Sequence, residues 1–161
     1  MRISPFIALL ISFASWLCIG VFLLYKGLSF LVHLVPGTNP SPMLDSLSKM
    51  AGGNESAVLV CISIGVFIGF MKGRFVLSKT VARISNRFFS FKRSMTLKEM
   101  YPVSYLMLIS SMILLGVSMK WLPVPLDVRG TMDVAIGSAL TNGAMQYFRL
   151  AFSKGRQVAA K

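Results

Sequence analysis

Charged side chains are spread unevenly along the chain. Residues 3–25 and 100–119 carry none, and shorter uncharged runs cover 56–71 and 134–148. At 1.5 Å of rise per residue the two long runs, of 23 and 20 residues, are long enough as helices to cross the ~30 Å hydrocarbon layer of a bilayer. The two short runs, of 16 and 15 residues, must borrow flanking length. Snorkelling of Lys72, Arg74 and Arg149 supplies it, because their aliphatic stems can lie in the slab while the charged heads reach water. The pattern predicts spans over about 4–26, 56–75, 101–121 and 130–149, with a re-entrant hairpin as the alternative for the fourth.

The first run also resembles a signal peptide, since Arg2 precedes an apolar stretch over 6–14 followed by small residues. Apolarity continues to Tyr25 and resumes over 28–35, beyond the length of an ordinary h-region. Cys18 follows Ser15, Trp16 and Leu17, a poor match to a lipoprotein cleavage box. An uncleaved helix is expected.

Between the spans the pattern changes. Residues 36–55 contain Pro36, Gly37, Pro40, Pro42, Gly52 and Gly53, which favour turns. They read as an exposed outer loop with one turn of helix around 44–50. Asn54, Glu55 and Ser56 fit a glycosylation acceptor, but they abut the second span and are read as chance. On the other side, Leu77, Val81, Ile84, Phe88 and Phe91 recur at steps of three and four, while Lys79, Arg83 and Arg87 recur every fourth residue on another face. That is a basic amphipathic helix over 76–92. It suits an anionic headgroup layer, with Lys79, Arg83 and Arg87 as headgroup contacts. Equally, it can extend the second span and pack its apolar stripe on the bundle. Residues 150–161 read as a basic tail.

Small residues mark contact faces, because membrane helices associate by close approach and interhelical hydrogen bonds where lipid removes the ordinary hydrophobic drive. Cys61, Gly65, Gly69 and Gly73 stand four apart, as do Ala135, Ala139 and Gly143, while Ser104, Ser111 and Ser118 stand seven apart. Such faces can pack within one chain or between copies. Short likenesses between 69–72 and 143–146, and between 20–21 and 116–117, suggest a parallel duplication of two hairpins, with chance matches in glycine-rich apolar sequence as the alternative.

The fourth span is the polar one. Asn142 and Gln146 lie within it and Asp133 stands near its outer end, with Arg129 four residues earlier as the nearest partner for that acid. Intramembrane polar groups need partners and are functional candidates, so Asp133, Asn142, Gln146 and Arg129 form a candidate intramembrane polar site. The bland alternative is a capped, solvated helix start after Pro125, with Asp127 and Asp133 near the positive end of the dipole.

Composition narrows the class. The 161 residues have a mean hydropathy of +0.70 and only 14% charged side chains, too few to coat a soluble particle of this size. A disordered tail, a collagen and a disulfide-stapled secreted domain are excluded. Net charge is +12, which in an apolar chain marks loops on the cytoplasmic side more often than nucleic-acid binding. Four crossings with the N-terminus inside place thirteen basic residues in the cytoplasm and four outside. Cys18, Cys61 and the single His33 lack metal-ligand spacing, so neither a metal nor another cofactor is expected. No GxSxG, P-loop or HExxH pattern occurs.

These observations predict an all-α integral membrane protein with four transmembrane helices and both termini cytoplasmic, in a bacterial inner (plasma) membrane. The expected function is non-enzymatic: a transporter, channel or assembly subunit that self-associates through its glycine-rich helix faces, with the bilayer, anionic lipids and a second copy or membrane complex as partners. A membrane enzyme acting on a lipid or isoprenoid through Asp127, Arg129 and Asp133 is the first alternative. An anionic-lipid-binding scaffold is the second.

Overall fold

The structure is a computed structural model that describes residues 5–34, 41–79, 81–83, 110, 114, 118, 121–122 and 124–159. Among these residues all regular structure is helical. Helix α1 covers Pro5–Val32, α2 Pro42–Ala51, α3 Asn54–Lys72 and α4 Leu126–Ala159. A π-helical turn, Gly73–Leu77, follows α3 directly, and helix continues beyond it through 78–79 and 81–83.

Helix α4 is the centre of the bundle and contacts α1 along one flank and α3 along the other. The α1 contact is antiparallel. A methyl group placed on Gly20 would lie 3.0 Å from the Gly137 carbonyl, and one on Gly27 would lie 2.7 Å from the Gly130 carbonyl. Gly130, Gly137, Ala144 and Ala151, each seven residues after the last, are all buried. A seven-residue step drifts only about 20° around a straight helix, so one narrow strip of small side chains stays turned toward α1. At the other end of this contact the side chains are large. Trp16 meets Tyr147 edge to face at 5.5 Å, Phe13 meets Phe148 at 5.3 Å and Phe6 meets Phe152 at 6.2 Å.

The α3 contact is parallel and steps by four. Methyl groups on Gly65 and Gly73 would lie 2.9 Å from the carbonyls of Thr131 and Ala139, and one on Gly69 would overlap Ser138 Oγ and the Ala135 carbonyl. The buried stripe continues through Leu77 and Val81. Four residues overshoot one α-turn by roughly 40°, so a straight helix would carry Leu77 and Val81 away from the bundle. The wider π turn takes more residues per revolution and keeps them on it. These two side chains join Ala8, Leu9, Trp16, Leu140, Ala144 and Tyr147 in one core cluster.

Several boundaries differ from those the sequence predicts. Helix α1 runs past residue 26 to Val32, because Lys26 finds an acid on α4 and need not mark an end. The outer loop contains a ten-residue helix, α2, in place of a single turn. Leu44 buries it against Leu31, Leu34, Ala57, Cys61 and Val134. Gly52, at φ 77°, ends α2 in the left-handed region, where a side chain would strain the backbone. The fourth predicted span, 130–149, is the middle of a 34-residue helix that reaches Ala159 through the expected tail. Gly130 does not interrupt it. Two described helices, Phe6–Val32 and Asn54–Phe75, are long and apolar enough to cross a membrane; α4, with four charged residues between Asp127 and Arg149, is not among them. Of the predicted span 101–121, only Ser110, Leu114, Ser118 and Trp121 are described, all helical. Residues 84–92 of the amphipathic helix lie outside the described residues.

Candidate functional site

Polar contacts run from α4 to each of its neighbours α1, α2 and α3, among them Ser138 Oγ donating to the Val66 carbonyl at 3.4 Å. The outermost is made by Asp127, in the first turn of α4 and fully buried. Its Oδ2 accepts hydrogen bonds from the backbone N–H groups of Met43 at 2.9 Å and Leu44 at 3.0 Å, and its Oδ1 accepts from Val128 N–H at 2.8 Å. Helix α2 starts with Ser41 and Pro42, and Ser41 makes no side-chain capping bond. The first-turn donors of α2 are therefore satisfied by a carboxylate 84 residues away in the chain. That single charge sits at the positive ends of two helix dipoles, α2 and α4, where an anion is stabilised.

Nearly two turns along α4, Asp133 Oδ2 lies 3.0 Å from Lys26 Nζ of α1. The acid is buried and the lysine about one-third exposed. The predicted pairing of Asp133 with Arg129 is not what forms. Arg129 instead stacks its guanidinium over Phe30, 5.5 Å from the ring centroid, and Lys26 approaches the same ring at 5.4 Å. The geometry follows from helix phase, since Asp133 shares a flank with Gly130 and Gly137, which face α1.

A further contact lies on the α3 side. Gln146 Nε2 donates to the carbonyl of Gly73 at 3.3 Å, at the start of the π turn. A methyl group on the same glycine would come within 3.0 Å of Asn142 Cβ. Asn142 and Gln146 thus gather at the π turn, whereas Asp133 and Arg129 gather near Phe30. Thirteen residues separate Asp133 from Gln146 in α4, roughly 20 Å along the axis. The four members of the predicted polar site form two separate groups on opposite flanks of α4.

The predicted packing residues all touch side chains or backbone of this same chain. Gly65, Gly69 and Gly73 face α4, the carbonyls of Thr131, Ala135 and Ala139 lie opposite them, and Gly143 lies against Trp16 and Leu77. Within the described residues these faces are used for packing inside one chain. Lys79 and Arg83 are exposed, and Arg87 lies outside the described residues. Among the described residues no three His, Cys, Asp or Glu side chains gather to hold a metal ion. The α2 clamp was missed as a unit, because nothing local to Pro42 names its distant acceptor. The seven-residue strip of Gly130, Gly137, Ala144 and Ala151 was missed although the spacing is written in the chain.

No protein-family model, curated protein or solved structure matches this chain.

Proposed function

We propose that the chain is a small, non-enzymatic, multi-pass membrane protein that serves as an assembly subunit of a larger membrane complex, in a plasma membrane of the bacterial inner-membrane type. Four crossings are proposed, with both termini cytoplasmic. Support for the topology comes from direction: α1 is antiparallel to α4 and α3 is parallel to it, so the chain between α3 and α4 must return along the bundle, and the uncharged run over 100–119 has the length to do so. Support for a lipid setting comes from Phe22, Val32, Leu59 and Phe67, large apolar side chains on α1 and α3 that are all more than 60% exposed.

The observation that carries the non-enzymatic reading is the engagement of both α4 acids. A lipid-modifying site would need Asp127 or Asp133 open to substrate. Asp127 already accepts from three backbone donors and Asp133 is paired with Lys26. A continuous polar path is disfavoured in the same way, because Asp133 lies on the flank opposite Asn142 and Gln146. Polymer extraction into native lipid discs followed by native electrophoresis tests the reading. The expected result is a discrete species well above the 17.7 kDa chain with accompanying proteins or copies, and a lone monomer would contradict it.

A further inference from the structure

The outward face of α3 changes character at one level. Phe67, Met71, Phe75, Lys79 and Arg83 stand four residues apart and are all exposed, two positions out of step with the buried stripe Gly65, Gly69, Gly73, Leu77 and Val81. Two residues turn an α-helix by about 200°, so this stripe lies nearly opposite the contact with α4. Its first three members are apolar and its last two cationic.

Helix α4 adds to the same level. Gly65 faces Thr131, Gly69 faces Ala135, Gly73 faces Ala139 and Gly143 faces Leu77, a constant offset of 66 positions. The same offset brings Arg149, which is exposed, level with Arg83. Lys79, Arg83 and Arg149 pair with no carboxylate among the described residues. Described acids stand at Asp45, Glu55, Asp127 and Asp133, toward the other end.

We infer that Lys79, Arg83 and Arg149 form a belt at one level of the bundle that binds the headgroups of anionic phospholipids, Lys79 and Arg83 from the outward stripe and Arg149 from α4, with Phe75 on the hydrocarbon side of the stripe. The inference rests on the proposal above that α3 lies in a bilayer. The chemistry favours lipid over an acidic protein segment because Lys79 and Arg83 continue, on one stripe, a row of side chains suited to acyl chains. Phosphate diesters are then met where the apolar row ends.

The test uses the full chain purified in detergent with equal amounts of phosphatidylglycerol and phosphatidylcholine, followed by quantification of co-purified lipid. Wild type retains phosphatidylglycerol preferentially, and each neutralised cation reduces that preference, by about fivefold per site in the limit of full contact. Lys79→Gln/Arg83→Gln/Arg149→Gln loses the preference, Lys79→Arg keeps it, and Lys49→Gln at the opposite end leaves it unchanged. Circular dichroism shows that the triple variant keeps its helix content. Equal retention of both lipids by wild type, or undiminished preference in a folded triple variant, overturns the inference, and leaves an acidic protein as the occupant. Failure of the wild-type chain to enter vesicles of phosphatidylcholine alone is a separate result, and would overturn the membrane reading itself.

Discussion

The two flanks of α4 solve the same packing problem with different periods. Toward α1, small residues recur every seven positions, the approach is antiparallel, and close contact at Gly20 and Gly27 passes into aromatic contact at Trp16 and Phe13. Toward α3, small residues recur every four, the approach is parallel, and the glycine contact ends in a π turn. The difference teaches what each period demands. A seven-residue strip stays nearly straight, so α1 can follow α4 along most of its length with large residues taking over from small ones. A four-residue strip winds around its helix, and extending it beyond Gly73 needs a local change of pitch. Polar ties cross both flanks, Lys26 to Asp133 for α1 and, for α3, Gln146 to Gly73 and Ser138 to the Val66 carbonyl.

Gly69→Leu should break the comparison most severely. Even a methyl group there overlaps Ser138 Oγ and the Ala135 carbonyl, and backbone cannot move aside as a flexible side chain can. Loss of about 3 kcal/mol or more is expected, seen as proteolysis of α3 in detergent that spares wild type. Lys26→Met comes next, since it leaves Asp133 buried with no counter-charge. Breaking such a pair from one side costs about 3–5 kcal/mol where the survivor stays desolvated. The double variant Lys26→Met/Asp133→Leu should recover most of the loss in thermal unfolding. Recovery would show that the pair specifies the α1 register more than it stabilises it.

Asp127→Ala removes the shared acceptor from Met43, Leu44 and Val128 and should cost about 2–3 kcal/mol. The expected sign is faster hydrogen exchange confined to α2 and the first turn of α4. Asp127→Asn, which keeps an acceptor oxygen, should lose less. The smallest effect is expected for Gln146→Leu, whose 3.3 Å bond to Gly73 is worth roughly 0.6 kcal/mol by the measured average for interhelical bonds in membranes. A loss much above 1 kcal/mol would mean that the amide holds the π turn in place.

Much of this architecture was legible in the chain. The four-residue ladder of Gly65, Gly69 and Gly73 and the apolar runs that become α1 and α3 are local patterns with a direct physical meaning. Helix α2 was legible only as one turn, because its stability depends on Leu44 reaching Leu31 and Val134 and on a carboxylate from α4. The partner of Asp133 was misread for the same kind of reason. Spacing of four along one helix favours Arg129, but the phase of the glycine strip turns Asp133 to α1, where Lys26 waits one residue from Gly27. Interhelical partners are set by register between elements, and register is not a property of either segment alone.

Topology is tested most directly by labelling single cysteines in intact cells with a membrane-impermeant maleimide. Lys49→Cys, Leu122→Cys, Lys79→Cys and Ser153→Cys all fall at exposed positions and serve on a background with Cys18 and Cys61 replaced. Reaction is expected at 49 and 122 before the membrane is opened, and at 79 and 153 only afterwards. Equal reaction at 49 and 79 in intact cells would contradict the proposed topology.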